Sequence, residues 1–306
     1  MFPTFPEFTP LSLELKGPYN AATNPFPPYS DISFATLQLW WNLNEELSIS
    51  LLHDNLVIDY QLPFDPDQAG LSLIGRTQVD ASIETIFAYL KQTNKAVRLV
   101  HVPQFVVDEL EHAQRYDITE ELDYNEYLLD SAEWAKLEGH DYQRLRKKVN
   151  HFIRNVGDNV ELKALDLTQI EIQEQLFQSI VAWEEKNSAN NDPDHSEHKA
   201  LKRTLQHAST LEMKNLAIYI DNTLHGVVFY HQPQGKEYYV IHHMKVNYET
   251  PHITHYLHHE LAKRATENNV TSLNIEMDLG IENLRQHKMM YKPKGFFRKY
   301  TIRPLA

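Results

Sequence analysis

The sequence contains no cysteine. Disulfides, thiolate nucleophiles and Cys-ligated zinc or iron–sulfur sites are therefore excluded, and a reducing, cytoplasmic setting is expected. Glycine is scarce, at nine of 306 residues. None of the nine builds a phosphate loop, a dinucleotide fingerprint or a Gly-x-Ser-x-Gly nucleophile elbow. No apolar run approaches the roughly 18 residues that a membrane-spanning helix requires. The opening MFPTFPEFTPLSLELKG is broken by Pro3, Pro6 and Pro10, so it does not read as a signal peptide. Positive charge is also in deficit. Lysine and arginine number 29 against 42 acidic residues, a net charge of −13. Such a surface repels phosphate backbones, which argues against DNA and against general nucleic-acid binding. A local basic patch could still hold one phosphate or one tRNA end.

What is present is a globular composition, 42% hydrophobic and 11% aromatic. Residues 1–30 are rich in proline and aromatics and read as irregular. SDISFATLQLWWNLN predicts a helix over 30–44, and LSISLLHDNLVIDYQ a hairpin turning at Asp54-Asn55. DASIETIFAYLKQTN places Ile83, Ile86, Phe87 and Leu90 on one helical face. AVRLVHV and NEYLLD read as strands. GHDYQRLRKKVNHFIRN (139–155) reads as a basic helix with a stripe of Leu145, Val149, Phe152 and Ile153. Downstream follow a strand, two helices, a hairpin at Asp221-Asn222, the strand KEYYVIHHMKVN, a helix, the strand TSLNIEM, a short helix and a last strand, GFFRKYTIRP. The order predicts an α/β (α+β mixed) protein with mixed, mostly antiparallel sheets flanked by helices. The expected division is an irregular segment 1–30, a lobe over 31–138, a bridging basic helix over 139–157, and a second lobe of like architecture over 158–306.

The densest acid–base cluster is NIEMDLGIENLRQHKMMYKPKG, residues 274–295. Strand alternation puts Asn274, Glu276 and Asp278 on one face. Two carboxylates there could hold an ammonium group. Arg285 and Lys288, three apart on the following helix, suit a phosphate or carboxylate. The plainer alternative is helix capping by Asp278 and dipole complementation by Lys288.

These residues also carry a resemblance. Glu126-Tyr127-Leu128-Leu129-Asp130, then Leu137-Glu138-Gly139, then Lys147-Lys148-Val149-Asn150, and the run from Asn274 to Pro293 resemble the motifs of the phosphatidylglycerol lysyltransferase C-terminal domain family, formerly a domain of unknown function. The resemblance spans roughly residues 29–303 and implies two tandem GNAT-like lobes. It implies acyl transfer, with aminoacyl-tRNA as donor and a lipid head group or another small amine or hydroxyl as acceptor. Tyr291 falls in the last motif as a substrate-binding candidate. Lys245 matches a lysine of a His-x-x-Lys-like strand, although Met244 stands where an acidic residue is expected.

Acyl transfer needs a group to take the nucleophile's proton and donors for the oxyanion. Glu276, Asp278 and His243, or His242 beside it, are the catalytic candidates. Asn274, Arg285, Lys288, Tyr291 and Lys245 are the substrate-binding candidates. Arg144, Lys147, Lys148 and Arg154 are candidates for tRNA or phosphate contact. Their plainer alternative is a solvated helix face. That basic amphipathic helix also offers peripheral membrane attachment. The loop KVNYETPH has no glycine cradle for a pyrophosphate, which weighs against acyl-CoA. His255 and His259 have helical i, i+4 spacing, but the Glu that follows the first His in metalloproteases is missing, so no metal is assigned. The competing readings are an acetyl-CoA-dependent GNAT N-acetyltransferase and a non-catalytic module that kept the fold.

Overall fold

The computed structural model describes residues 2–43, 45–60, 69–157, 159–186 and 196–305. The chain divides into two compact units. The first comprises Met1–Glu126, Met277–Glu282 and Phe296–Ala306, and the second Tyr127–Glu276 and Asn283–Gly295.

In the first unit, α1 (Lys16–Thr23) precedes the segment read from sequence as one helix. That segment is instead a 3₁₀ turn (Ser30–Ile32), a single α-turn, α2 (Phe34–Thr36), and a π-turn (Leu37–Trp41). The sheet contains β1 (Thr9–Pro10), β2 (Ser48–Leu52), β3 (Asn55–Tyr60), β4 (Gly70–Ile74), β5 (Leu99–Pro103), β6 (Tyr116–Glu120) and β14 (Lys299–Pro304), in the order β1-β2-β3-β4-β5-β14-β6. The β2–β3 turn falls on His53 and Asp54, both left-handed, the geometry that matches strand twist in a two-residue hairpin. Helix α3 (Val79–Gln92) buries Ile83, Ile86, Phe87 and Leu90 as its periodicity predicts. It makes the crossover that leaves β4 and β5 parallel. The short α4 (Gln104–Val107) follows β5.

The second unit's sheet contains β7 (Glu126–Asp130), β8 (Val160–Lys163), β9 (Lys214–Ile220), β10 (Thr223–His231), β11 (Tyr238–Val246), β12 (Ser272–Asn274) and β13 (Gly295–Phe297), in the order β13-β7-β12-β11-β10-β9-β8. Its β9–β10 turn at Asp221-Asn222 is left-handed at both residues, as the sequence predicts. One face is covered by α5 (Ser131–Lys136), α6 (Gln143–Val156), α9 (Ile253–Glu267) and α10 (Glu282–Met290), around a core that includes Trp134, Phe152, Leu257 and Tyr291. The other face is covered by α7 (Ile170–Lys186) and α8 (Ser196–Gln206), around Ile180, Leu201 and Phe229.

The two sheets have the same plan. Each runs as an antiparallel set of four strands, one parallel step across a helical crossover, and two more strands. The parallel step is β4–β5 in one and β11–β12 in the other. This is a tandem GNAT-like fold, each unit a mixed, mostly antiparallel sheet with helices on it.

The division differs from the boundaries expected at 138/139 and 157/158. Helix α6 does not bridge. It belongs to the second unit, where Phe152 stacks on Tyr256 of α9 at 4.5 Å, and Ile153 of the expected stripe is exposed. Strand β7 also belongs to the second sheet. The final strand β14 returns to the first sheet, between β5 and β6. An apolar pattern specifies that a segment is a strand, but hydrogen-bond partners decide in which sheet. Lys299, the first residue of β14, is buried. Its Nζ lies 3.0 Å from Glu126 and also pairs with Asp31. Burial opposes its charge, but the two carboxylates outweigh that and raise its pKa.

Candidate functional site

In the second unit, β11 and β12 pair over only three residues, ending at Val240 and Asn274. Beyond that point the chain after β12 stays with β7, since Ile275 N–H donates to Tyr127 and Tyr127 N–H to Glu276. Strand β11 stays with β10 to Val246. The two central strands therefore part, and a fork opens at their C-terminal ends, the place where ligands of α/β sheets bind.

A bulge sits beside this fork. Phe229 pairs with His243 and Tyr230 with Ile241, so His242 is an extra residue in β11. Simple alternation would put Tyr239, Ile241, His243 and Lys245 on one face. The bulge instead leaves Tyr239 and Ile241 in the α9-side core and turns His243 and Lys245 to α7 and α8.

At the fork, Glu276 is left-handed, with φ of 57°. Asn274 Oδ1 accepts the Glu276 N–H at 2.9 Å and stabilises that turn. His242 Nδ1 lies 3.3 Å from Glu276 Oε1, at an angle short of hydrogen-bond geometry. On its other side, His242 Nε2 lies 2.7 Å from His231 Nδ1, and the two rings stack at 4.9 Å. Burial pushes the His242 pKa down to about 3. The Glu276 side chain keeps 15% of its surface.

Helix α10 follows the fork. Lys288 Nζ donates to the Ile275 carbonyl at 2.6 Å, and Arg285 is half-buried on the same helix. Tyr291 is buried, with its hydroxyl 2.6 Å from His287 Nε2 and its carbonyl accepting from Trp134 Nε1–H. Lys148 of α6 reaches into this group, 3.1 Å from His255 Nε2. Burial, and then Arg144, lower the Lys148 pKa. His255 is pushed down to about 3, by burial first and Lys148 second. Arg144, Lys147 and Arg154 lie on the exposed face of α6.

The expectation that Asn274, Glu276 and Asp278 share a strand face fails. The strand ends at Asn274, and left-handed residues at Glu276 and Leu279 break the alternation. Asp278 belongs to the first unit, is buried, and accepts the Gly280 N–H at 2.9 Å. That is a turn-forming contact of the kind short acidic side chains make. His243 is also buried, 2.9 Å from the Thr204 hydroxyl of α8. Lys245 is buried between Glu184, at 2.6 Å, and Glu197. Burial lowers its pKa, but the carboxylates outweigh this, so it is raised. His255 and His259 do not converge, because His259 Nδ1 turns to the Trp134 carbonyl at 2.8 Å.

Sequence reasoning missed His231, Glu184, Glu197 and His287 as members of these groups. The one available signal was the His242-His243 doublet, two polar residues in succession in an apolar strand, which marks a bulge. The Ile253, His255 and Tyr256 N–H groups donate to the Thr250 and His252 carbonyls. Glu249 adds an acidic side chain there, paired with Lys186 at 3.2 Å.

A family profile described as "Phosphatidylglycerol lysyltransferase, C-terminal" matches residues 27–303. Among solved structures, a conserved protein of unknown function from Bacteroides thetaiotaomicron matches with a TM-score of 0.84 at 20% identity, covering 100% of both chains. The C-terminal domain of a putative lysylphosphatidylglycerol synthetase from Agrobacterium fabrum matches with a TM-score of 0.61 at 12% identity, covering 95% of this chain and 92% of that one. L-PGS from Bacillus licheniformis matches with a TM-score of 0.60 at 13% identity, covering 94% and 91%. At these identities the likeness is one of fold. No curated protein matches the chain. No helix among the described residues is long and apolar enough to cross a membrane.

Proposed function

We propose, from the premise that this chain belongs to the phosphatidylglycerol lysyltransferase C-terminal family, that it transfers an aminoacyl group from aminoacyl-tRNA to an amine or hydroxyl, of a lipid head group or of another small acceptor. The observation that carries this is the fork between β11 and β12, with a carboxylate, Glu276, at its mouth and imidazole behind it. A carboxylate there is placed to take a proton from an attacking nucleophile. Arg285 and Lys288 on α10 supply positive charge beside it, suited to a carboxylate or phosphate of a substrate. Exposed Arg144, Lys147 and Arg154 on α6, with Lys148 turned inward, form a basic strip that fits one strand end of a tRNA on a chain that otherwise repels phosphate.

The α9 entry favours this donor over an acyl-CoA. Pyrophosphate cradles need backbone N–H groups turned outward and a close backbone approach. Here the Ile253 and His255 N–H groups are used within the turn, no glycine is present from Lys245 to His252, and Glu249 is acidic.

The test is incubation of purified protein with a full panel of tRNAs charged with labelled amino acids and with anionic lipid vesicles, small amines and hydroxyl acceptors. Transfer of label from at least one charged tRNA is expected. Transfer only from acetyl-CoA would replace this reading with an N-acetyltransferase. No transfer from either donor, with full complementation of a deletion strain by Glu276→Gln, would replace it with a binding module.

A further inference from the structure

We infer that Glu276 takes the acceptor's proton, and that His242 and His231 are positioning residues that aim and hold its carboxylate. This rests on the acyl-transfer reading above.

The 2.7 Å contact between His231 Nδ1 and His242 Nε2 requires one N–H and one lone pair. If His242 carried its hydrogen on Nε2, its Nδ1 lone pair would face the Glu276 carboxylate at 3.3 Å, two acceptors against each other in a buried place. If His231 carries the hydrogen on Nδ1, His242 accepts at Nε2 and presents Nδ1–H to Glu276. Of these two arrangements only the second sets an N–H, not a lone pair, against the carboxylate, at a 3.3 Å approach that falls short of hydrogen-bond geometry in this structure. The chain therefore runs one way, from His231 through His242 to the carboxylate. It fixes the His242 tautomer and sets the orientation of the pair, as carboxylate–histidine pairs do around metal sites. His242 itself is too enclosed to accept a proton near neutral pH, since burial holds its pKa at about 3. The bulge that makes His242 an extra residue is what places this side chain between His231 and the fork.

The first unit supplies a contrast. His101 stands two residues beyond Leu99, where β5 last pairs in parallel with β4, as Glu276 stands two beyond Asn274. It too is left-handed, with φ of 52°. Its partner Glu121 uses one oxygen for the His101 N–H and the Thr301 hydroxyl, and the other lies 2.7 Å from His101 Nδ1. There too the Nδ1–Oε2 approach falls short of hydrogen-bond geometry, and the Glu121 carboxylate is fixed through its other oxygen by two donors. Glu276 keeps about twice the exposure of Glu121, 15% against 8% of the side chain.

The step balances without a further reagent. The acceptor N–H or O–H attacks the carbonyl carbon of the aminoacyl ester and forms a C–N or C–O bond, while its proton passes to Glu276. The tetrahedral intermediate collapses, the bond to the ribose oxygen breaks, and Glu276 returns the proton to that oxygen.

The experiment has two arms. In the first, protein labelled with ¹⁵N-histidine is examined by two-bond ¹H–¹⁵N correlation near pH 7. Signals are assigned by their loss in His231→Gln and His242→Asn. Nδ1–H tautomers are expected for both residues; an Nε2–H tautomer or an imidazolium at His242 overturns the chain as drawn. In the second arm, transfer kinetics are measured. Glu276→Gln is expected to lower kcat at least ~100-fold, the range of general-base loss. His242→Phe is expected to lower kcat about 10- to 100-fold with KM little changed. His242→Asn, whose Nδ2–H replaces the Nδ1–H donor, is expected to recover most of that. Equal losses in the Phe and Asn variants overturn the positioning role. A wild type inert with every charged tRNA overturns the acyl-transfer reading and the role of Glu276 with it, while the tautomers decide the orientation of the chain separately.

Discussion

Glu276 occupies a conformation that costs an ordinary side chain about 1–2 kcal/mol, because its Cβ crowds the following carbonyl. Glycine escapes that cost. Glu276→Gly is therefore expected to be about 1 kcal/mol more stable than Glu276→Ala in urea unfolding, although both lack the carboxylate. An alanine variant as stable as the glycine one would mean that the left-handed turn is not kept in solution. The buried histidines make a second statement at this scale. His242 and His258 are pushed by burial to about 3 and about 4. In the unfolded chain they take up protons near pH 6.5. Their folded values are depressed, so their contribution is complete above about pH 6.5 and is lost as pH falls toward 3–4. Each removes about 1.4 kcal/mol per pH unit within that window. Thermal unfolding followed from pH 7 to 4 should show this decline, and His258→Phe should flatten it. An unchanged slope in that variant would contradict a neutral, buried His258.

At the scale of the element, β14 shows how one strand can carry a charge into a core. Lys299 is enclosed with Asp31 and Glu126, and Glu126 also accepts the Ser30 N–H at 2.7 Å. Removing one partner of such a group strands the others without compensation, at about 3–5 kcal/mol. Lys299→Met is expected to lose that much in denaturant unfolding. The combined Asp31→Asn, Glu126→Gln, Lys299→Met protein should recover a large part of it, since no charge is then left buried. A single variant within ~0.5 kcal/mol of wild type would show that the triad is not closed in solution. The fork belongs to this scale as well. It exists because β12 is only three residues long and the chain after it follows β7 rather than β11.

At the scale of the whole molecule, the chain crosses between its units more than once. β7 is the first strand of the second sheet in chain order, and β14 completes the first sheet last. A protein ending at Arg298 would lack the strand between β5 and β6. Hydrogen exchange should then report loss of protection in the first unit, at β4 and β5, while β9, β10 and β11 keep theirs. Uniform loss over both sheets would show that the units do not unfold separately.

Much of the local structure was legible in the sequence. The Asp221-Asn222 turn, the α3 face of Ile83, Ile86, Phe87 and Leu90, and the motif run from Asn274 to Pro293 could be read directly. Turn chemistry and helical periodicity are local properties, and a family motif is a string. The same strings could not show that NEYLLD and KYTIRP change sheets, because strand pattern is silent about partners. Nor could they show that His242 is an extra residue. One bulge reverses which side chains share a face, and it appears only when the register with Phe229 and Tyr230 is set. So residue types, elements and family followed from the sequence, through short-range sterics and patterning. The meeting of His231, His242 and Glu276, and the enclosure of His243, Lys245 and Asp278, were decided by tertiary structure, because only the packed sheets determine which polar atoms lie within reach of one another.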